Sequence, residues 1–223
     1  MSGYHKTLKS LFLHEEMVKK LIQEGAEAKI YLDGDVVLKQ RVPKSYRHPG
    51  LDLQIRTRRT RHEAKLLCKA KGVGVRVPEV FNVNKKFEPT SKYDLEIEYI
   101  EGDKLSETLN GYPEAKQVDV MKKLGEQVAL MHSNDIIHSD LTTSNTILKG
   151  DEVLLIDFGL GYFSVKIEDK AVDLHLIKQA LEAKHFQNDE KLFEGFLKGY
   201  KFEDSSKVIE RLGVVEKRGR YKH

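Results

Sequence analysis

His138-Ser139-Asp140-Leu141-Thr142-Thr143-Ser144-Asn145, with Asp157-Phe158-Gly159 starting twelve residues after the asparagine, is the stretch on which the reading of this chain turns. Its flanks carry ordinary structural signals. Upstream, Val118, Met121, Leu124, Gln127/Val128 and Met131 keep a helical period. Downstream, residues 146–148 and 153–156 form a two-strand pattern broken by Lys149-Gly150-Asp151. Two aspartates and an asparagine therefore fall on loops at the ends of short strands. Their carboxylate and amide oxygens are the donors that hard divalent cations prefer.

Moving toward the N-terminus, residues 29–39 read as two β-branched runs joined by Asp33-Gly34, which supplies the positive φ of a tight hairpin. Lys39 ends the second run. From about residue 57 to 71, Ala64, Leu67 and Cys68 share a helical face, with Gly72 and Gly74 ending the helix. Strands are expected around 78–83 and 93–100, the latter alternating Leu95, Ile97 and Tyr99. Glu101-Gly102 reads as a linker, and the chain from Asp169 onward reads as helices. Leu8, Leu11, Phe12, Met17, Val18 and Leu21 suggest an amphipathic helix leading into the first strand, more in keeping with core packing than with a partner groove.

Composition narrows the class. The chain has 223 residues, 39% hydrophobic and 33% charged, which is enough to bury a sizeable core. No run of 18 apolar residues exists, and Glu15 and Glu16 interrupt the N-terminal leucines, so neither a membrane nor a secreted protein is expected. A single cysteine, Cys68, fits a reducing compartment and reads as a small core hydrophobe. The net charge of +3 conceals an asymmetry: residues 39–71 hold eleven Lys or Arg against Asp52 and Glu63, and residues 207–223 hold six against Glu210 and Glu216. Two basic faces on an acidic body suit RNA phosphates or an acidic partner, although a solvated basic face is the plain alternative. The terminal Lys-Arg-Gly-Arg-Tyr-Lys-His is polar enough to act as an unfolded arm.

The central stretch resembles the protein-kinase catalytic loop, H-x-D with Asn five residues on, followed by DFG. The resemblance implies Asp140 as the base or orienting carboxylate, Asn145 and Asp157 as Mg²⁺ ligands, Lys39 as the ATP-phosphate lysine and Glu63 as its partner. His138 would orient the loop. Asp173 resembles the buried aspartate that anchors the loop backbone, a helix N-cap being the alternative. Adenine would lie against Ile97, with backbone groups of Glu98 and Ile100 as its hydrogen-bond partners.

The departures from the pattern narrow the family. The phosphate loop reads Gln23-Glu24-Gly25-Ala26-Glu27-Ala28, with one glycine where three are usual. Ser139 replaces the usual arginine of His-Arg-Asp, which leaves no clamp for a phosphorylated activation segment. Only thirteen residues separate Gly159 from Asp173, with no Ala-Pro-Glu, so a platform for a peptide substrate is nearly absent. Gly25-Ala26-Glu27-Ala28, Lys44-x-Tyr46-Arg47-x-Pro49, the loop with its DFGLG and the Arg218-Gly219-Arg220 ending together resemble the small atypical PRPK-type kinases, the kinase subunit of the KEOPS complex. Ser139 again departs, since that family usually has His-Gly-Asp.

That resemblance implies an α+β, two-lobed protein-kinase-like fold in one domain. It would have a strand-rich N-lobe (about 1–101), a reduced helical C-lobe (about 102–212) lacking most of the activation segment, and a basic tail (about 213–223). It implies an atypical serine/threonine kinase and ATPase that cleaves the γ-phosphate of Mg-ATP. Acting in KEOPS, it would support threonylcarbamoyladenosine modification of tRNA. ATP and Mg²⁺ are the implied cofactors. The implied partners are the threonylcarbamoyl-transferase subunit, a small N-lobe-binding subunit, and tRNA through the complex and the basic tail, with no membrane. A cytoplasmic location is implied, and a nuclear one as well in a eukaryote. A catalytically silent scaffold of the same complex and a small-molecule phosphotransferase of the aminoglycoside-kinase type are the rival readings.

Overall fold

The computed structural model describes residues 19–220. The expected amphipathic N-terminal helix falls on residues 1–18, outside that range, while Leu21 lies exposed on the first strand.

The N-lobe is one antiparallel sheet of strands β1 (Lys20–Glu24), β2 (Ala28–Asp33), β3 (Val36–Arg41) and β4 (Asp94–Glu98), in that order. The β2–β3 hairpin turns at Asp33-Gly34, where Gly34 has φ +59°, as the Asp-Gly pair requires. Helix α1 (Pro49–Gly72) starts eight residues before its expected beginning. Its first turns carry Leu51, Leu53 and Ile55 at a spacing of two, which is not a helical stripe, and Leu51 and Leu53 are exposed; Pro49 starts the helix and Asp52 holds Arg56 at 2.6 Å across one turn. Ala64, Leu66, Leu67 and Ala70 face the core, whereas Cys68 is half-buried. The helix ends at Val73, and Gly74 follows at φ +92°.

The strand expected at 78–83 is instead an irregular edge along β4, with bridges only at Val80–Ile97 and Val83–Pro89. Pro78 lacks a backbone donor, and the Asn82 side chain takes the place of a ladder carbonyl by accepting the Glu96 N–H at 3.1 Å.

After Gly102, strand β5 (Asp103–Lys104) joins the hairpin of β7 (Thr146–Lys149) and β8 (Glu152–Leu155). A Cβ on Gly102 would sit 2.6 Å from the Leu148 carbonyl, so the link between lobes needs glycine for close approach. The short helix α2 (Leu105–Thr108) leads to α3 (Glu114–Ser133). Strand β6 (Ile136–Ile137) pairs with β9 (Tyr162–Phe163), and helices α4 (Ile167–Lys184), α5 (Asp189–Gly199) and α6 (Ser205–Arg220) complete the C-lobe. Helices α3 and α5 meet backbone to backbone: a Cβ at Gly125 would strike the Phe196 carbonyl, and one at Gly199 the Lys122 carbonyl. Among the described residues no helix is long and apolar enough to cross a membrane.

One expectation is corrected here. Residues 213–220 are not a separate tail but the last turns of α6. Val208 and Leu212 bury one face of that helix, Glu216 accepts a bond from Lys178 at 2.6 Å, and Arg211 and Arg218 both reach Glu168 on α4. The terminal charges are thus partly consumed by pairing with α4, which a composition argument could not register. Residues 221–223 lie outside the described range.

Candidate active site

Strand alternation aims Lys39 and Arg41 from β3 toward the lobe boundary. Both are buried, and both end on the same carboxylate. Lys39 Nζ donates to Glu63 Oε1 at 2.7 Å, and Arg41 Nη2 donates to Glu63 Oε2 at 2.6 Å. Lys39 Nζ also donates to Asp157 Oδ1 at 2.7 Å, so one ammonium ties strand β3, helix α1 and the C-lobe together. Burial pushes the Lys39 amine down, but Glu63 and Asp157 outweigh it and raise it above its ordinary value. Burial likewise pushes the Asp157 carboxyl up, and Lys39 together with the Gly159 N–H and His138 holds it below the usual carboxylate value. The Lys39 ammonium and the Asp157 carboxylate are therefore charged at neutral pH.

Asp157 sits at φ +62° and Ser139 at φ +63°. Non-glycine residues in the left-handed region carry a strain of about 1–2 kcal/mol. At Asp157 the Lys39 bond and the Gly159 N–H to Oδ1 at 3.1 Å hold it. The conformation of Ser139 also explains why a glycine suits that position, and the substitution is accommodated because its N–H is fixed by an acceptor from α4.

That acceptor is Asp173. Its Oδ1 takes the Ser139 N–H and its Oδ2 the His138 N–H, each at 2.7 Å. Asp173 lies inside α4, not at its start, so the N-cap alternative fails on position. Behind it, His132 Nε2 lies 3.1 Å from Asp173 Oδ2, and His132 Nδ1 lies 2.6 Å from the Tyr200 hydroxyl. Burial holds the His132 imidazole below its ordinary value against the opposing pull of Asp173, and burial pushes the Tyr200 phenol up. The neutral ring then donates from Nε2 to Asp173 and accepts the Tyr200 O–H at Nδ1. His132 and Tyr200 were not singled out from the sequence. His132 stood on the buried period of α3, where a histidine looks like filler, and Tyr200 lies 68 residues away.

A pH dependence follows. A histidine whose folded pKa lies below its unfolded value makes the unfolded chain the better proton acceptor. Its stabilisation is complete above a pH of about 6.5 and is lost as pH falls, at up to ~1.4 kcal/mol per pH unit. Burial lowers His185 too, with the same sign. Urea unfolding at pH 7 and pH 5.5 is expected to show a larger loss in the wild type than in His132→Gln, which keeps the hydrogen-bonding pattern without titrating. Equal losses would remove His132 as the source.

Asp140 and Asn145 face each other: Asn145 Nδ2 donates to the Asp140 carbonyl at 2.9 Å and to Asp140 Oδ2 at 2.8 Å, leaving the Asn145 amide oxygen for another partner. His138 Nε2 lies 3.1 Å from the Ile156 carbonyl, and its ring packs on Phe158 at 4.6 Å between centroids, which fits an orienting role. The turn from Gly25 to Ala28 is closed by the Gly25 N–H to the Ala28 carbonyl at 2.9 Å. Glu27 in that turn points to Arg59 (2.9 Å) and Arg47 (3.2 Å), so the Lys44-x-Tyr46-Arg47-x-Pro49 segment clasps the loop from the start of α1.

These groups surround one cleft of about 550 Å³. Gly25, Ala26, Glu27 and Ala28 form its roof; Lys39 and Glu63 its inner wall; Asp140, Asn145 and Asp157 its floor; and Ile97, Glu98 and Ile100 its far end. The twelve residues expected to bind nucleotide or metal or to take part in the reaction all line this one cleft, while His138 and Asp173 lie behind it. At the far end the Glu98 N–H donates to the Glu79 carbonyl at 2.8 Å and the Tyr99 N–H to Asp35 at 2.9 Å, so Glu98 can offer only its carbonyl. The Ile100 N–H has no acceptor among the described residues. Arg41 and Arg59 line the cleft without having been anticipated. The period-2 rule that placed Lys39 could have flagged Arg41.

The comparisons with known proteins agree with this geometry. The protein kinase domain model matches residues 34–175. Over 217 residues the chain is 43% identical to the KEOPS complex subunit Bud32 of Pyrococcus abyssi, covering 91% of this chain and 96% of that protein. It is 39% identical over 207 residues to a probable bifunctional tRNA threonylcarbamoyladenosine biosynthesis protein of Methanosarcina acetivorans, and 40% over 207 residues to the one from Methanocaldococcus jannaschii. Each alignment covers 90% of this chain but only 35% and 37% of those longer proteins. Among solved structures, WaaP in complex with acyl carrier protein aligns with a TM-score of 0.61 at 14% identity, covering 92% of this chain and 89% of that one, a likeness of fold alone.

Proposed function

Since the chain belongs to the protein kinase family and, within it, to the Bud32 kinases of KEOPS, we propose that it cleaves the γ-phosphate of Mg-ATP in the cleft between its lobes, as an atypical serine/threonine kinase and ATPase. The observation that carries this reading is the Lys39 ammonium, 2.7 Å from Glu63 on one side and from Asp157 on the other, at the centre of one cleft. A cation held between two carboxylates of different lobes is positioned for phosphate oxygens.

In this reading Asp140 orients the attacking hydroxyl and accepts its proton, held in place by Asn145. The turn of Gly25, Ala26, Glu27 and Ala28 covers the phosphates. The Glu98 carbonyl and Ile100 N–H meet adenine, with Ile97 behind it. Asn145 and Asp157 would hold Mg²⁺, and the donor chemistry fits. An amide oxygen and a carboxylate supply two hard oxygen donors, and magnesium commonly takes one or two protein ligands, the rest coming from phosphates and water. The ion supplies charge neutralisation to the triphosphate when bound. Only thirteen residues lie between Gly159 and Asp173, and α4 begins at Ile167, so there is little surface on which to lay a peptide. This favours a hydroxyl delivered by a partner, or water.

As a Bud32 kinase the protein would work beside other KEOPS subunits, the threonylcarbamoyl-transferase and a small N-lobe-binding subunit, in threonylcarbamoyladenosine synthesis on tRNA. Lys217, exposed at the end of α6, belongs to the basic end proposed to approach tRNA. Asp140→Asn tests the chemistry. Turnover of Mg-ATP is expected to fall by roughly 10²- to 10⁴-fold with ATP affinity little changed. Retention of most turnover would sink the assignment.

A further inference from the structure

We propose that Arg41 is a second phosphate-binding cation of this cleft, one that contacts the terminal phosphoryl group of the bound nucleotide and so separates a triphosphate from a diphosphate. The assignment rests on reading the cleft as an ATP site.

Strand registers order the cleft along β3. Val37 stands opposite Ile97 at the adenine end, Lys39 opposite Leu95, and Arg41 lies two residues further, opposite Ala28 of the phosphate turn. Each two-residue step along a strand is about 6.6 Å. Arg41 is therefore displaced from Lys39 in the direction away from the adenine end, beneath the turn of residues 25–28. It also approaches the metal-binding segment, since a Cβ built on Gly159 would lie 3.4 Å from Lys39 Nζ and 3.6 Å from Arg41 Nη2.

Charge makes the residue hard to explain as scaffolding. Arg41 is only 5% exposed, and its partner Glu63 is already paired with Lys39. Burying a second cation on a satisfied carboxylate costs desolvation without a compensating gain in the protein alone. Lys39, Arg41, Glu63 and Asp157 sum to zero. Once Asp157 turns to another partner, the remaining three carry one net positive charge facing the cleft. A guanidinium has five N–H donors, and among the described residues only Nη2 of Arg41 has an acceptor. The other donors are available to phosphate oxygens, for which a planar fork is suited.

The test is equilibrium binding of ATP and of ADP, each with Mg²⁺, to the full chain as wild type, Arg41→Met and Arg41→Lys. Arg41→Met is expected to weaken ATP at least about tenfold while ADP stays within about twofold, with Arg41→Lys recovering part of the loss. Equal weakening of both nucleotides would make Arg41 a support for Glu63 and overturn the proposal, as would no change in either. Should Arg41→Met fail to fold, the wild type decides: its Arg41 Nε–H resonance should shift on adding ATP and not on adding ADP, and equal responses overturn the assignment. A folded wild type that binds neither nucleotide would instead overturn the ATP reading itself.

Discussion

Asp157→Ala is expected to reduce Mg-ATP turnover by at least ~10³-fold while the protein stays folded, because in the proposed reaction charge neutralisation is most of the catalysis. The side chain is about half exposed and Lys39 keeps Glu63 as a partner, so no uncompensated buried charge is left behind. Backbone conformation is the one complication, since residue 157 sits at φ +62°. Asp157→Asn controls for it, because asparagine tolerates the left-handed region while removing the negative charge. Both variants should lose turnover, measured as phosphate release with and without transferase subunit and tRNA, and both should melt within a few degrees of the wild type. Turnover above a tenth of the wild-type rate in either would count against the metal-binding role.

Gly199→Ala is expected to destabilise the C-lobe by about 3 kcal/mol, the upper range for overpacking. Elsewhere in a helix, alanine would be favoured over glycine by roughly 0.5–1 kcal/mol. Here the added methyl would meet the Lys122 carbonyl and, at 3.0 Å, the Glu126 amide nitrogen, both backbone atoms that cannot rotate aside. Helices α3 and α5 would have to move apart along their length. Gly213 on α6 is the matched control: a Cβ there meets nothing within 4 Å, so Gly213→Ala should leave stability unchanged or slightly raise it. A melting temperature lowered by about 6–12 °C for Gly199→Ala, at 2–4 °C per kcal/mol, is the expected difference. A drop of less than about 2 °C would show that the close contact is not tight.

The parts of the site legible in the sequence were those whose chemistry is local or evenly spaced. His138, Asp140, Asn145 and Asp157 sit within twenty residues around short strands, and the Asp33-Gly34 turn fixes the hairpin that carries Lys39. Glu63 was implied by the kinase resemblance, on the helix after that strand. What stayed hidden depends on tertiary placement. Arg41 was counted only as one charge of a basic segment, although burial and Glu63 remove it from the surface. Asp173 was singled out, but not the His132 and Tyr200 behind it, because no periodic signal joins residues 41 and 68 apart. The end of α6 read as an arm because lysine and arginine suggest solvent, yet Glu168 was waiting on α4 for two of those arginines. The edge at 78–83 read as a strand because side-chain substitution for a backbone carbonyl leaves no mark on propensity.

The loop bearing Asp140 takes its shape from Asp173, Asp173 is braced by His132, and His132 by Tyr200. In the order of synthesis His132 precedes the loop, whereas Asp173 and Tyr200 are added after it. A chain emerging from the ribosome therefore carries Lys39, Glu63, Asp140, Asn145 and Asp157 before it carries the Asp173 and Tyr200 parts of the buttress. Until Asp173 is made, the His138 and Ser139 amides lack their acceptor, and until Tyr200 is made that acceptor is not fully braced. The brace of the loop is thus completed only at the end of α5, after every residue it positions has been made.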